Sequence, residues 1–312
     1  VADTQAQRPY RSIGEELSKA FGGKIVKLSL DAGFTCPNRD GTRGSGGCLF
    51  CSAEGSGELA SDIPGQIELL RDKWPGAAGY IAYFQSHTNT YAPVPRLRAL
   101  WEDALSHPGV VGLAVATRPD CLSPAVLDLL EEFSRRTYLW VELGLQTIHD
   151  ATAIALNRCY ETREYREAAE ELDRRGIRLV THLILGLPGE SRAMMEESVR
   201  AVCRRKDGRV PLFGLKFHLL NVVKGSGLAD AFPGYVPFES PEAYIRLVAD
   251  LLALVPPEVT IHRLTGDVPR RLLLAPSWSY KKRTILNGIL NLMLEEGIKQ
   301  GCRETLQPDD PR

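Results

Sequence analysis

The feature that most limits the fold is an alternation running from Lys24 to Leu220. Short apolar runs, rich in β-branched and aromatic residues, trade places with longer amphipathic ones. The short runs are Lys24–Leu30, Gly79–Gln85, Val110–Thr117, Thr137–Leu145, Arg178–Leu185 and Leu212–Leu220. They read as strands, and the near-continuous apolar run Val110–Thr117 suits a strand covered on both faces. Helical patterns lie between them at Asp62–Trp74, Pro95–Ser106, Pro124 to about Arg136, Thr162–Arg175 and Ser191–Arg205. Ser123 and Pro124 supply a cap and a first-turn proline, and Gly176 supplies a stop. Strand–helix units in series predict an α/β fold with a parallel sheet and right-handed crossovers. In such folds the functional loops follow the carboxyl ends of the strands. A short helix, Arg11–Ala20, precedes the first strand. After the sixth strand come a helix (Ser240–Leu254), an added strand (Val259–Leu264) and a last helix (Thr284–Glu296). The expected organisation is an N-terminal segment (1–20), a barrel (21–235) and a C-terminal extension (236–312).

The loop after the first strand, from Asp31 to Gly55, holds Cys36, Cys48 and Cys51. Cys48 and Cys51 stand as C-x-x-C, a link short enough to turn two thiolates onto one metal centre. Gly41, Gly44, Gly46 and Gly47 give the loop the left-handed backbone freedom needed to bring in the third sulfur. A structural zinc site is closed by four ligands, and a ferredoxin-type cluster takes four cysteines. Here no fourth cysteine is nearby, and the nearest His is His87. A four-iron cluster on three thiolates leaves one iron open to a small molecule. That is the arrangement of enzymes that cleave S-adenosylmethionine (SAM) reductively. The alternative is a zinc site completed by a remote His or Asp.

Polar residues gather at the same strand ends. They include the segment Gln85 to Tyr91, Thr117-Arg118-Pro119-Asp120, Glu142 and Gln146, Gly186 to Glu190, and His218 with Asn221. Together they predict one pocket. The runs CPNRDGTRGSGGCLFC, YFQSHTNT, TRPDCL, ELGLQT, HLILGLPGE and KFHLLNVVKGS resemble the YhcC/YtqA-type radical SAM family. That family is related to the radical SAM domain of the elongator catalytic subunit. The resemblance covers roughly Phe21 to Gly301. It implies an open (β/α)6 partial TIM barrel of radical SAM type with a C-terminal α/β extension. It implies a [4Fe-4S] cluster on Cys36, Cys48 and Cys51, with SAM across the strand ends. It also implies particular SAM contacts: Glu142, supported by Gln146, on the ribose hydroxyls; Gln85 and Thr88 at the amino group; and Arg118 near the carboxylate. Ile184, Gly186 and Glu190 then face the adenine, with His218 and Leu219 beside it. The implied reaction is reductive cleavage of SAM to methionine and a 5′-deoxyadenosyl radical that takes hydrogen from a substrate.

One position departs from that family. Cys159 stands where its members often carry Gly, and it reads as a hydrogen-atom donor, a neighbour of the cluster or a small core residue. Cys121, Cys203 and Cys302 have no paired spacing, so a second cluster is not expected. The net charge is −1, so any contact with nucleic acid must be a local patch. Arg263, Arg270, Arg271, Lys281, Lys282 and Arg283, interleaved with Trp278 and Tyr280, form such a stretch. It reads either as an RNA-binding surface or as a solvated loop. Arg39 and Arg43 beside the cysteines suggest a local field for an acidic electron donor, a flavodoxin or ferredoxin. The expected substrate is a tRNA base. A small metabolite or peptide is one alternative, and a zinc-stabilised barrel that binds nucleic acid without radical chemistry is another. Neither a signal peptide nor an apolar membrane span is evident, and a thiolate-bound cluster needs a reducing compartment. The expectation is a cytoplasmic protein with no membrane partner.

Overall fold

The structure, a computed structural model, describes residues 8–51, 62–204 and 208–304. The cysteine stretch beyond Cys51 and the expected helix end at Arg205 lie outside the described residues. Six strands lie side by side in sequence order, each parallel to the next: β1 (Ile25–Leu30), β2 (Gly79–Phe84), β3 (Val110–Thr117), β4 (Tyr138–Gln146), β5 (Arg178–Leu185) and β6 (Gly214–Leu219). Two short strands, β7 (Val222–Val223) and β9 (Leu273–Ala275), pair antiparallel on their own, while β8 (Thr260–Arg263) joins the main sheet parallel to β6. The added strand was therefore correctly expected, and the sheet curls into a half-barrel of seven parallel strands. The helices are α1 (Ile13–Phe21), α2 (Ile63–Arg71), α3 (Val94–Ser106), α4 (Pro124–Arg136), α5 (Asp150–Ala155), α6 (Thr162–Arg174), α7 (Arg192–Cys203), α8 (Gly227–Ala231), α9 (Pro241–Leu252) and α10 (Lys282–Glu295). Serine caps set several starts. The hydroxyls of Ser123, Ser191 and Ser240 accept the N–H groups of Val126, Met194 and Ala243.

Strand periodicity sorts the side chains into two cores. Leu113, Val115, Leu139, Val141, Leu143, Leu215 and Phe217 face outward and pack under the helices. Ile81, Tyr83, Ala114, Ala116, Trp140 and Val180 face the lumen, where Ile13 and Leu17 of α1 join them. Thus α1 plugs the lumen. Its entry segment also runs along one sheet edge, where the Ile261 N–H donates to the Arg11 carbonyl at 2.7 Å.

Close strand packing needs a bare backbone at Gly112 on β3. A Cβ built there would lie 2.2 Å from the Tyr138 carbonyl oxygen on β4. Backbone cannot yield as a side-chain tip can, so Gly112→Ala is expected to cost about 1–3 kcal/mol, the usual range for overpacking. Denaturant unfolding checks this, with a lowered midpoint and an unchanged slope.

The cysteine loop is stitched to the sheet top. The Leu49 N–H donates to the Leu156 carbonyl at 3.0 Å, and the Leu228 N–H donates to that of Leu49 at 2.8 Å. The Asn157 amide donates to the Ser45 and Gly47 carbonyls at 2.9 and 2.7 Å. Leu49 and Phe50 pack on Leu156, Ile184, Leu220 and Leu228. Gly41, Gly46 and Gly47 adopt positive φ as expected. Gly44 does not; it is bare because the Cys159 sulfur would lie 2.8 Å from a Cβ there.

Candidate functional site

The carboxyl ends of the strands and the lumen beneath them enclose a cavity of about 850 Å³. Cys36, Cys48 and Cys51 all line it. Two buried donors aim at the sulfurs: the Thr88 hydroxyl reaches Cys36 Sγ at 3.0 Å, and Asn38 Nδ2 reaches Cys48 Sγ at 3.2 Å. A hydrogen bond from Cys51 brings the Cys48 thiol down to about 7 against its burial, with Arg118 and Asn38 assisting. Burial pushes the Cys36 thiol up, with Thr88 opposing. His87, its Nδ1 4.0 Å from Cys36 Sγ, is a neighbour on the same wall. Among the described residues no three His, Cys, Asp or Glu side chains stand preformed around one ion. Three thiols on one wall, with hydrogen-bond donors turned to two of them, are a donor set that fits a multi-iron cluster with one iron left open.

Of the ten SAM contacts expected, Gln85, Thr88, Arg118, Glu142, Gln146, Ile184 and His218 line this cavity, while Gly186, Glu190 and Leu219 do not. Leu219 alternates with His218 and points into the outer core. Glu190 accepts from the Thr147 hydroxyl, and the Gly186 carbonyl accepts from Tyr235 at 3.0 Å. Arg118 forks onto Asp120 at 2.9 and 2.7 Å and lies over the Tyr160 ring. Gln146 ends β4 with a φ of 72°, rare for a residue with a side chain, beside a register shift against β5. Of the arginines flanking the cysteines, Arg43 is held by Asp120 and Glu164, which offset its charge locally. Cys159 lies outside the cavity lining, its thiol donating to Asn157 Oδ1 at 3.2 Å.

The lumen holds a polar layer that the sequence reading passed over. Glu142 is fully buried. Its Oε2 accepts from Lys216 Nζ at 2.5 Å, the Tyr83 hydroxyl at 2.7 Å and His182 Nε2 at 2.8 Å. Its Oε1 accepts from Trp140 Nε1 at 2.9 Å. A carboxylate offers about four acceptor sites; three of these donors crowd Oε2 and one reaches Oε1. Burial favours the neutral carboxyl. Lys216, the His182 hydrogen bond and Lys27 outweigh it and hold the group well below the usual carboxylate range. Burial, with Lys27 and Arg263 nearby, takes the Lys216 ammonium down to about 7. The signal was present in the strands: Tyr83, Glu142, His182 and Lys216 occupy lumen-facing positions of β2, β4, β5 and β6, polar where a core strand would be apolar.

A half-barrel of this topology, with three cysteines at the strand ends and a cavity below, defines the radical SAM class. The comparisons agree. The Radical SAM superfamily matches residues 38–202, and the Radical_SAM C-terminal domain matches residues 213–295. The chain belongs to the Radical SAM superfamily; it is a radical SAM enzyme, and its cofactors are a [4Fe-4S] cluster and SAM. It is 42% identical to the uncharacterized protein YtqA of Bacillus subtilis, over 96% of this chain and 94% of that one. It is 37% identical to protein YhcC of Escherichia coli, over 95% and 96%. A tRNA uridine(34) acetyltransferase of Dehalococcoides mccartyi is 28% identical over 78% of this chain and 49% of that one. Among solved structures, Elp3 of the archaeon Methanocaldococcus infernus superposes with a TM-score of 0.66 at 16% identity. That match covers 88% of this chain and 64% of the other. Among the described residues no helix is long and apolar enough to cross a membrane.

Proposed function

We propose that the protein cleaves SAM reductively and turns the resulting radical on a base of tRNA. Cys36, Cys48 and Cys51 are the cluster ligands in this reading, and the observation that carries it is that all three line one strand-end cavity. When bound, the cluster and SAM supply an electron and a 5′-deoxyadenosyl radical. The chain's own residues bind, orient and exclude water. Thr88 and Asn38 donate to the sulfurs and favour the thiolate form. Gln85, Gln146, Ile184 and His218 surround the nucleoside. Gln146, at the strand end, takes the ribose hydroxyls, because Glu142 is fully buried and engaged by Lys216, Tyr83, His182 and Trp140. The electron comes from a flavodoxin- or ferredoxin-type donor in a reducing, cytoplasmic setting.

The tRNA assignment is supported by the name of one relative, the tRNA uridine(34) acetyltransferase. The basic C-terminal stretch supports it only in part. Arg270 lies 4.5 Å over the ring of the exposed Tyr280, a pair placed to meet a splayed base. Trp278 instead packs on Tyr244. Two measurements test the proposal. The anaerobically reconstituted, reduced protein is expected to release 5′-deoxyadenosine from SAM, and a colourless protein with stoichiometric zinc refutes this. Nucleosides from tRNA of cells with and without the gene are expected to differ at one modified base. Identical profiles, with no salt-sensitive RNA binding, move the substrate to a small metabolite or peptide.

A further inference from the structure

The sheet does not close on itself: β1 and β8 are its edges, α1 packs between them at their amino ends, and among the described residues no strand joins them toward the carboxyl ends. Four cations gather there. Lys27 lies on β1, Arg263 ends β8 in register with Lys216 of β6, and Lys282 begins α10. Their proximity is visible in their mutual effects. Burial is the main cause that lowers Lys27, and Arg263 and Lys282 lower it further. Arg263 acts in the same direction on Lys216, His182 and His218. The carboxylates nearby are engaged. Glu142 is bonded to Lys216, Asp267 is paired with Lys282, and Asp31, next after β1, accepts the Gly33 N–H beside His87. Arg263 is half-buried, lines the cavity and forms no hydrogen bond or ion pair with any described residue. A guanidinium drawn partly out of water and left without a partner is costly unless a ligand supplies one. Its planar fork matches the oxygens of a phosphate or carboxylate.

We propose that this side gap admits the substrate and that the substrate carries an oxyanion, a phosphate or carboxylate, which seats on Arg263. Lys27 adds to the attracting field, Lys282 is offset by Asp267, and Lys216 lies inside, tied to Glu142 and Tyr83. The inference deepens the radical SAM reading and rests on it for the cavity being the active site.

The test is equilibrium binding of inorganic pyrophosphate to the anaerobically reconstituted full chain with SAM present. A 5′-phosphorylated oligoribonucleotide is the second probe. Saturable binding is expected, weakened about tenfold by Arg263→Gln, the size of one lost charge-assisted contact. Arg166→Gln, an exposed arginine on α6, should leave it unchanged. Asp267→Asn, which frees Lys282, should tighten it about two- to threefold through screened charge alone, a gain that misfolding does not produce. Absence of saturable binding, or equal weakening by the Arg263 and Arg166 variants, overturns the proposal. So does loss of SAM affinity in Arg263→Gln with pyrophosphate binding intact. A tighter oligoribonucleotide assigns the oxyanion to RNA; a tighter pyrophosphate assigns it to a small molecule, and either supports the site. Release of 5′-deoxyadenosine by the wild type is scored separately. Cleavage without an anion site removes only this inference, while an anion site without cleavage removes the radical reading and keeps the site.

Discussion

Cys48→Ala is expected to strip the reconstituted protein of nearly all its iron, whereas Cys121→Ala and Cys159→Ala keep it. The contrast follows from where the sulfurs lie. Cys36, Cys48 and Cys51 share the cavity wall and sense one another's charge. Cys48 is the one whose thiol is already drawn toward the thiolate by its neighbours, which is the form a metal takes. Cys121 lies off that wall beside Asp120. Burial raises its thiol, and the Asp120 carboxylate raises it further, so it is a poor ligand. Cys159 is turned toward Asn157 and Gly44. Iron and sulfide per chain after anaerobic reconstitution, with the visible absorbance of the cluster, read the result. If Cys121→Ala or Cys159→Ala loses iron as completely as Cys48→Ala, the ligand assignment is wrong. Cys36→Ala and Cys51→Ala are expected to behave as Cys48→Ala does, since each removes one of the three thiols on that wall. A cluster needs all three anchors at once.

Most of the fold could be read from the chain because its signals are local. Each strand–helix unit carries its own period, cap and stop, so Ser123, Ser191 and Ser240 begin helices where the sequence places them. The short elements α5, α8, β7 and β9 were not foreseen; segments of two to six residues give periodicity nothing to act on. The cysteines were legible for the same local reason, a fixed spacing across a Gly-rich loop. The polar layer was not, because Tyr83, Glu142, His182 and Lys216 are scattered through 134 positions and meet only when strands align. The Lys216–Glu142 pair spans 74 of those positions. Glu142 was noticed alone and given a ligand to bind. Its four donors are visible only in the fold. Arg118 likewise meets Asp120 two residues on.

The polar layer also sets the second large effect. Lys216→Met is expected to destabilise the protein by about 3–5 kcal/mol, the range for removing one partner of a buried ion pair. Methionine keeps the stem's volume, so the loss is not a cavity effect. It leaves the fully buried Glu142 without its cation, although Tyr83, His182 and Trp140 still donate. Adding Glu142→Leu removes the stranded charge, and the double variant should lose clearly less than the two single losses summed. The pH dependence gives an independent check. The unfolded chain holds the Lys216 proton up to about 10.5, whereas the folded chain releases it near 7. Between those values the unfolded state binds more protons, so this group makes stability rise with pH across that window. Below it the lysine is charged in both states and the contribution is flat. Denaturant unfolding of wild type and Lys216→Met at several pH values should therefore show a gap that widens from about neutral upward. A gap that stays constant over the same range means the folded ammonium keeps its proton, held by Glu142 more strongly than burial and its cationic neighbours oppose it.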